Sequence, residues 1–495
     1  MLDWTIYLSF VAAALLMVIP ARYVRMVALI AAIAGMVLAV AAFLAVTGTV
    51  NPGVLKDVRD FVWVPQLNIH YHLAADGVSL TLVLLTAIAS VAGVLFSWNI
   101  NQRSNEFFAL YFVLIGGVYG VFLSFDLFLL LVFYEIAIIP KYFLIAIWGS
   151  TRREYGAMKL ALYSFIGSAM VVVGLIAAFV VSGGTSWSLI ELAKYPFPAQ
   201  FQIWVFLLVF LGFTILAGIW PLHTWAPTGH VAAPTAASML LAGVVMKLGA
   251  YGGLRVAMTL FPLGLDYWRY WLAGLAVIGI VYGAMVALVQ NDFKFVIGYS
   301  SVSHMGFVLL GLMTLSQIGL SGAVLQMFSH GIIAGLLFAV VGRMIYERTH
   351  TRELGKLEGF GLSKTLPFAA VTFVIAAAAS MGLPGFSGFI AELQVLVGAW
   401  KTFPLFAIIA AVGIIVGVAY TLRAVVRGFF TDTARSQTAS ETHEPLVPIS
   451  WPERAGALLL LTCTIVIGLY PRVLLDLITP TFNSPLFERM WKGGV

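Results

Sequence analysis

The stretch LFLLLVFYEIAIIPKYFLIAIW, residues 127–148, is an apolar run of the length that crosses a membrane as one helix, yet it contains an acid and a base. About 20 residues are enough to span roughly 30 Å of hydrocarbon as an α-helix. Glu135 lies well inside this run, and a charge at the centre of a membrane helix costs roughly 2.5–3.5 kcal/mol on insertion scales. The stretch therefore predicts a membrane helix that holds ionisable residues for a functional reason.

The composition of the whole chain agrees with a membrane location. Apolar residues make up 61% of the 495 residues, charged residues only 10%, and the mean hydropathy is +1.01. Soluble domains contain about 25% charged residues. We therefore predict an all-α polytopic membrane protein without a soluble domain. The net charge of +6 comes from bases scattered over short loops, which is not typical of a nucleic-acid-binding protein.

Apolar blocks of similar length recur along the chain and predict about fourteen transmembrane helices. Their approximate bounds are 4–20, 24–47, 77–99, 107–123, 126–148, 157–182, 201–221, 235–259, 269–289, 294–314, 317–342, 365–400, 404–429 and 455–474. The N-terminal sequence MLDWTIYLSF has neither a basic region nor a small-residue cleavage site, which favours a retained first helix over a signal peptide.

Two of the predicted spans are interrupted by glycine and proline. The interruptions are GIWPLHTWAPTGHVAAPTAAS (218–238), at the seventh span, and MGLPGFSGF (381–389), in the long twelfth span. Broken helices in corresponding positions of two halves are typical of inverted-repeat transporters. The predicted units are three N-terminal helices in 1–106, two inverted five-helix repeats in 107–259 and 260–430, and a polar loop with a last helix in 431–495.

The distribution of arginine and lysine between the loops predicts the orientation. Basic residues are concentrated after odd-numbered spans, for example Arg22, Lys294, Arg343 and Arg352, and the opposite side holds fewer, among them Arg255. By the positive-inside rule, this pattern places both termini on the non-cytoplasmic side of the membrane.

Several ionisable side chains fall within predicted spans or near their edges. They are Glu135, Lys141, Lys159, Lys247, His304, His330 and Glu392. A long side chain near a span end can reach the headgroups, and this explains Lys159 as well as a functional role does. His304 and His330 have two alternative interpretations, as core histidines or as haem ligands, but the sequence lacks the matched histidine pairs of a bis-histidine haem.

Glu135, Lys247, either histidine and Glu392 together predict a chain of titratable groups that crosses the bundle at mid-depth. Such groups inside a membrane are typical of proton relays, and no pattern of nucleophile and base suggests a substrate pocket. Cys463 is the only cysteine, which excludes an iron–sulfur cluster, a zinc ribbon or an internal disulfide within this chain.

Four motifs resemble those of a known family. They are HTWAPTGHVAAPTAASMLLAGVVMKLGAYGGLR (223–255), NDFKFVIGYSSVSHMGFVLLGL (291–312), SHGIIAGLLF (329–338) and GLPGFSGFIAEL (382–393). In sequence and order they resemble the antiporter-like membrane subunits of respiratory complex I, in particular the bacterial subunit M type with its mitochondrial counterpart, subunit 4. These subunits belong to the Mrp antiporter-like superfamily, and the similarity extends over nearly the whole chain.

The resemblance implies a proton channel without a cofactor of its own, acting as the non-redox subunit of a proton-translocating NADH:quinone oxidoreductase in a bacterial inner membrane. It implies that flavin, iron–sulfur clusters and quinone belong to partner subunits, and that neighbouring antiporter-like subunits and the lipid bilayer surround the chain. By motif, Glu135 matches the family's fifth-helix acid, Lys247 its central lysine and Glu392 its distal acid. His304 and His330 match histidines along the hydrated axis.

The chain departs from the family pattern where a lysine is expected on the seventh helix. Counting back from PLHTW places that position at Leu216, and residues 201–222 contain no lysine. In addition, Thr228 replaces the usual aspartate, and Phe295 stands where a basic residue is common. The resemblance therefore leaves Glu135 without its usual basic partner.

We hypothesise that Lys141 supplies the missing cation, because relatives usually have an apolar residue after the proline at this place. Six residues along a straight helix correspond to about 9 Å of rise and 120° of rotation away from alignment. A direct contact between Lys141 and Glu135 therefore requires a bend, for which Pro140 provides the site. The alternative is that Lys141 extends toward the cytoplasmic interface near Trp148.

Two other functional assignments are compatible with the motifs of this superfamily. One is a subunit of a Mrp-type sodium/proton antiporter, which has no redox partner. The other is a membrane subunit of a related hydrogenase or formate-oxidising complex. The genes beside the coding sequence distinguish these alternatives from a quinone oxidoreductase.

Overall fold

Twelve helices in the described part of the chain are long and apolar enough to cross a membrane, and two further apolar helices are shorter. The computed structural model describes residues 1–47, 55–431 and 446–491. The predicted all-α membrane architecture is therefore confirmed, whereas the two inverted repeats stay a prediction.

In the described part of the chain, the helices of eight or more residues in the first half end at Leu260. They are α1 (Asp3–Val18), α2 (Ala21–Thr47), α3 (Gly77–Phe96), α4 (Ser104–Leu123), α5 (Leu127–Trp148), α6 (Arg153–Val181), α7 (Ala199–Ala217), α8 (Trp225–Ala232) and α9 (Thr235–Leu260). The second half contains α10 (Pro262–Val289), α11 (Phe293–Met313), α12 (Gln317–Thr349), α13 (Pro367–Ser380), α14 (Ser387–Thr402), α15 (Pro404–Phe430), α16 (Trp451–Leu469) and α17 (Arg472–Thr481).

Local sequence explains where several of these helices begin. The carboxylates of Asp76, Asp126 and Asp292 accept hydrogen bonds from backbone N–H groups in the first turns of α3, α5 and α11. Such caps satisfy donors that have no partner within the helix. Ser450 and Glu453 form a reciprocal capping box at the start of α16. The starts of these helices are thus encoded by short polar motifs next to apolar runs.

Both predicted interruptions are present in the structure. The seventh predicted span ends with α7 at Gly218, whose φ of 83° is accessible to glycine, and the chain re-enters the bundle as α8 and then α9. The twelfth predicted span is divided into α13 and α14, and Gly382 and Gly385 adopt φ values of 69° and 97° between them. Each break places irregular backbone inside the bundle, where surrounding protein can satisfy it.

The core lies around α3, α9 and α12, which are almost entirely enclosed by other helices. In contrast, α2, α6 and α15 expose many apolar side chains on the outside of the bundle. π-Helical turns interrupt the buried helices at Leu241–Val245 and Gly253–Ala257 in α9 and at Val340–Tyr346 in α12. Such turns change which side chains share a helix face.

The segment before α3 contains strands that the sequence did not predict. The strand β1 (Lys56–Arg59) pairs with β4 (Leu73–Ala75), and β2 (Val62–Val64) pairs with β3 (Ile69–His70), both antiparallel. At the other end of the chain, α17 is also unpredicted. Residues 432–445, which belong to the polar loop predicted before the last helix, lie outside the described residues.

Four bases that contributed to the predicted orientation are buried in the structure. They are Arg255, Lys294, Arg343 and Arg352. Arg255 belongs to a π-helical turn of α9 and Arg343 to one of α12. Lys294 lies in the first turn of α11, whereas Arg352 lies in the loop that follows α12. The side of the membrane on which the termini lie stays a prediction.

Candidate functional site

Four of the predicted site residues form a continuous polar file in the middle of the bundle. Lys247 Nζ on α9 donates a hydrogen bond to His330 Nδ1 on α12 at 2.8 Å. The ring centroid of His330 lies 5.4 Å from that of His304 on α11. His304 Nδ1 lies 3.0 Å from the Oε1 atom of Glu392 on α14. The sequence named these residues, and the structure brings them together.

The side chains of this file are withdrawn from the surface. Lys247 is completely buried, and His304, the most accessible of the four, is only 9% exposed. The π-helical turn Leu241–Val245 precedes Lys247, and the Ala242 carbonyl within it accepts a hydrogen bond from Lys247 Nζ. An ammonium at this depth requires such acceptors, because an unpaired buried charge is strongly unfavourable.

The distal end of the file is built by the broken twelfth span. His304 Nε2 lies 3.3 Å from the hydroxyl of Ser380, the last residue of α13. Gln326 Nε2 donates to Glu392 Oε1 at 3.5 Å. A Cβ on Gly382 would lie 2.8 Å from Glu392 Oε2, so the glycine also leaves room for the carboxylate. The break therefore brings a hydroxyl and a carboxylate to the same histidine.

A small cavity adjoins His304, His330 and Glu392. Its lining also includes the polar side chains of Ser300 and Ser329. The cavity volume is 10 Å³, which is about the space that one water molecule needs. A water at this place would have polar partners on several sides, and it could link the two histidine rings.

Glu135 lies apart from this file, on the outer face of α5. Its Oε1 atom accepts a hydrogen bond from the Ser168 hydroxyl on α6. Glu135 is partly exposed, and the neighbouring side chains Ile139 and Phe143 on the same side of α5 are exposed and apolar. The carboxylate therefore lies at the rim of the bundle rather than at its centre.

Lys141 is buried, with only 1% of its surface exposed. Its Nζ has no hydrogen-bond partner among the described residues, and no ion pair within 4.0 Å joins it to Glu135 in that part of the chain. This burial is the opposite of what extension to the cytoplasmic interface requires. Lys159, by comparison, is partly exposed, and its Nζ lies 3.5 Å from Thr228 Oγ1.

An apolar layer of α7 separates Tyr134 of α5 from the helix that holds the central lysine. Leu216, at the position of the expected lysine, is buried, and Phe213 packs edge-on against the Tyr134 ring at 5.6 Å. A Cβ on Gly249 of α9 would lie 2.3 Å from Phe213 O, which shows how closely α7 and α9 approach. In the described ranges no hydrogen bond joins Lys247 to Glu135 or Lys141.

The sequence did not single out a second set of buried polar residues near Lys247. Tyr251 and Arg255 follow it at intervals of four residues along α9, and both are completely buried. Arg255 pairs with Asp76, the cap of α3, with Nη1 at 2.6 Å from Oδ2. The spacing of four residues after Lys247 is the signal that could have identified them.

Lys294 and His230 are further buried groups that the sequence did not assign to the site. Lys294 Nζ donates to the Ala233 carbonyl at 3.0 Å. It lines a cavity of 180 Å³ together with Ser97, Ser150 and Thr235, close to the ends of α3 and α5. The ring nitrogens of His230 have no hydrogen-bond partner among the described residues.

Comparisons with known proteins place this architecture among membrane subunits. A profile of the family described as NADH:quinone oxidoreductase/Mrp antiporter, TM, matches residues 124–417. The NADH-quinone oxidoreductase subunit M of Rhodobacter capsulatus is 36% identical over 444 residues, which cover 87% of this chain and 84% of the relative.

Solved structures have the same fold. A chain of respiratory complex I from Thermus thermophilus with bound NADH matches with a TM-score of 0.87 and 28% identity, and the match covers 100% of both chains. A chain of the Mrp complex from Dietzia sp. DQ12-45-1b matches with a TM-score of 0.84 over 99% of this chain and 98% of that chain. Its identity of 22% supports a shared fold alone.

Proposed function

The chain belongs to the NADH:quinone oxidoreductase/Mrp antiporter family, and we propose that it is a proton-translocating membrane-arm subunit of a complex I-type NADH:quinone oxidoreductase. The observation that supports this most directly is the buried file from Lys247 through His330 and His304 to Glu392. Its groups can each gain and lose a proton, and they are buried where water has little access.

Each member of the file has a specific part in moving a proton. Lys247 donates its proton to His330 Nδ1, with which it already shares a hydrogen bond. His330 passes a proton to His304 through a bridging water or a small ring movement, since the two rings lie 5.4 Å apart. His304 then transfers a proton to Glu392 along the 3.0 Å contact. A proton thus crosses the bundle laterally, parallel to the membrane plane.

In this proposal, Glu135 and Lys141 act at the end of the relay that is opposite to Glu392. The buried ammonium of Lys141 lacks a partner in the described part of the chain, so a negative charge within reach stabilises it. The Glu135 carboxylate is the charged group on the same helix, and Pro140 between the two residues is a site at which the helix can bend to bring them closer. Lys141 thereby replaces the basic partner that Leu216 does not provide.

Redox chemistry takes place outside this chain in the proposed complex. We assign flavin, iron–sulfur clusters and quinone to partner subunits, and we assign the contacts of this chain to other membrane-arm subunits and lipid. The partly exposed Glu135, surrounded by exposed apolar side chains, supports contact with a neighbouring membrane subunit. The excess of bases after odd-numbered spans supports a bacterial inner membrane location with both termini on the non-cytoplasmic side.

The direct test is purification of the tagged protein in a mild detergent, followed by absorbance spectroscopy and an assay of quinone-linked NADH oxidation. We expect co-purified flavin, iron–sulfur clusters and activity with NADH. Clusters without flavin would indicate a different electron-input arm or a hydrogenase. A colourless assembly of membrane subunits would contradict the proposal and favour the Mrp-type antiporter.

A further inference from the structure

A second line of polar groups begins one helical turn from the central lysine and extends toward the amino-terminal surface of the bundle. Tyr251 lies one helical turn beyond Lys247 on α9, at about 6 Å of rise. Its hydroxyl donates to the Phe122 carbonyl at 2.9 Å and lies 3.1 Å from Ser79 Oγ on α3. The line therefore passes from α9 to α3 through a pair of hydroxyl groups.

From Ser79 the line continues to a buried ion pair. Arg255 Nη2 donates to Ser79 Oγ at 3.4 Å and to Asp76 Oδ1 at 2.7 Å. Asp76 also caps α3 by accepting from the Ser79 backbone N–H at 2.9 Å. The capping role explains the contact between Asp76 and the Ser79 backbone. It does not explain why Tyr251 presents a hydroxyl to the Ser79 side chain.

The line ends at a cavity on the surface that carries the amino terminus. Asp76 lines this cavity of 300 Å³ together with Met1 and Asp57. The Asp57 side chain is 70% exposed, and its Oδ1 atom lies 2.9 Å from His72 Nε2. Because Met1 belongs to the cavity wall, the cavity lies at the end of the bundle where α1 begins and α3 starts.

The surroundings of the ion pair are apolar and closely packed. The Arg255 guanidinium carbon lies 5.1 Å from the ring centroid of Phe125 and 5.5 Å from that of Phe487. The π-helical turn Gly253–Ala257 contains Arg255 and marks a place where α9 departs from regular geometry. In the arrangement observed, the Asp76 carboxylate is paired with Arg255 while Asp76 lines the cavity.

We propose that Tyr251, Ser79 and Asp76 form a proton-release branch that connects Lys247 to the amino-terminal surface, with the Arg255–Asp76 ion pair as its gate. This inference rests on the proposed relay through Lys247. The ammonium of Lys247 gives a proton through a water to the Tyr251 hydroxyl, which turns away from the Phe122 carbonyl and releases its own proton to Ser79 Oγ. Ser79 in turn gives up its hydroxyl proton. Asp76 receives the proton when Arg255 separates from it and passes it to water in the cavity. Lys247 is left neutral and ready for reprotonation.

The first test measures proton transport per NADH oxidised by the intact complex in sealed vesicles, with Tyr251→Phe compared with Lys247→Met. We expect Tyr251→Phe to lose part of the proton transport that Lys247→Met loses, with normal assembly, because the file toward Glu392 is unchanged. The matched control is Tyr111→Phe, because the buried Tyr111 hydroxyl donates only to the carbonyls of Ala89 and Ser90. A normal ratio of protons transported to NADH oxidised in Tyr251→Phe would contradict the proposed branch. An equal loss of proton transport in Tyr111→Phe would also contradict it.

The two proposals have separate outcomes in this experiment. Normal proton transport in Lys247→Met would contradict the relay itself, whatever Tyr251→Phe does. Loss in Lys247→Met with normal transport in Tyr251→Phe would leave the relay in place and remove the branch. Ser79→Ala provides a second variant of the branch with a smaller change in volume, and we expect the same loss.

A labelling experiment tests the gate without relying on proton transport. Since Cys463 is the only cysteine, Cys463→Ser gives a thiol-free chain into which Ser79→Cys is introduced. We expect a membrane-impermeant methanethiosulfonate reagent, added on the amino-terminal side, to modify residue 79 faster during NADH oxidation than at rest. Ser90→Cys on the same helix is the control that should stay unmodified. Equal rates at rest and during turnover contradict a gate at Asp76 and Arg255.

Discussion

The imidazole rings of His304 and His330 face each other with centroids 5.4 Å apart and planes inclined by 32°. One ring contacts Lys247 and the other contacts Glu392, so the pair joins a buried cation to a buried acid across α11 and α12. Neither ring alone contacts both Lys247 and Glu392. The histidine pair is therefore the part of the relay whose removal has the most direct consequence.

Replacement of His330 by leucine should stop proton transfer along the file while leaving the complex assembled. Lys247 then keeps only the Ala242 carbonyl as acceptor, which costs about 1–3 kcal/mol of stability for the unsatisfied donor. We expect proton transport per NADH oxidised to fall, because the file no longer carries protons from Lys247 to Glu392. His350→Asn, at an exposed turn with φ of 53°, is the control and should transport normally.

Glu135→Gln and Lys141→Met should have non-additive effects on proton transport. If the two side chains act as a charge pair, the double variant should transport about as well as the worse single variant. The measurement is a double-mutant cycle on the ratio of protons moved to NADH oxidised. Normal transport in Lys141→Met alone would show that Lys141 has no part in the relay.

Leu216→Lys should rescue Lys141→Met. The substitution places a cation on α7 at the position where relatives carry one, between α5 and the lysine of α9. In the otherwise unchanged chain the same substitution adds a second buried ammonium, and we expect lower thermal stability of the complex. Leu216→Met serves as the uncharged control, and rescue by methionine would rule out an electrostatic explanation.

Gly382→Ala should impair the distal end of the file. Gly382 adopts φ of 69°, which costs an alanine about 1–2 kcal/mol, and the added Cβ would lie 2.8 Å from Glu392 Oε2. We expect Glu392 to be displaced from His304 and proton transport to fall. Gly385→Ala adopts a similar φ of 97° but has no atom within 4 Å of its Cβ, so it separates backbone strain from contact with Glu392.

Much of the candidate site could be predicted from sequence because a charge inside an apolar run is conspicuous. Lys247 and Glu392 were identified by that criterion and by motif, and the breaks on either side of α8 and between α13 and α14 followed from glycine and proline. Contacts between the groups could not be predicted, since His330 and Lys247 are 83 positions apart in the chain. The strands β1–β4 were missed because their segment has no clear alternation of polar and apolar residues.

Arg255 illustrates why the remaining part of the site was missed. In sequence it is a base at the edge of an apolar span, which is the ordinary appearance of a loop residue facing water. In the structure it is completely buried and paired with Asp76, 179 positions away. Lys294, the first residue of a predicted span, was also not singled out, and the structure buries it in the first turn of α11.

The sequence by itself determined that this protein is a helical membrane protein, where its helices break and which ionisable groups fall within apolar helices. These properties follow from local chemistry, because hydrocarbon requires apolar helices and makes every internal charge expensive. Only the tertiary structure decided which of those groups are in contact. Proton transfer requires contacts of about 3 Å, and such contacts join Lys247 to His330 and His304 to Glu392 but leave Lys141 without a partner in the described part of the chain. The reason is that helix packing sets these distances, and packing depends on residues far apart in the chain.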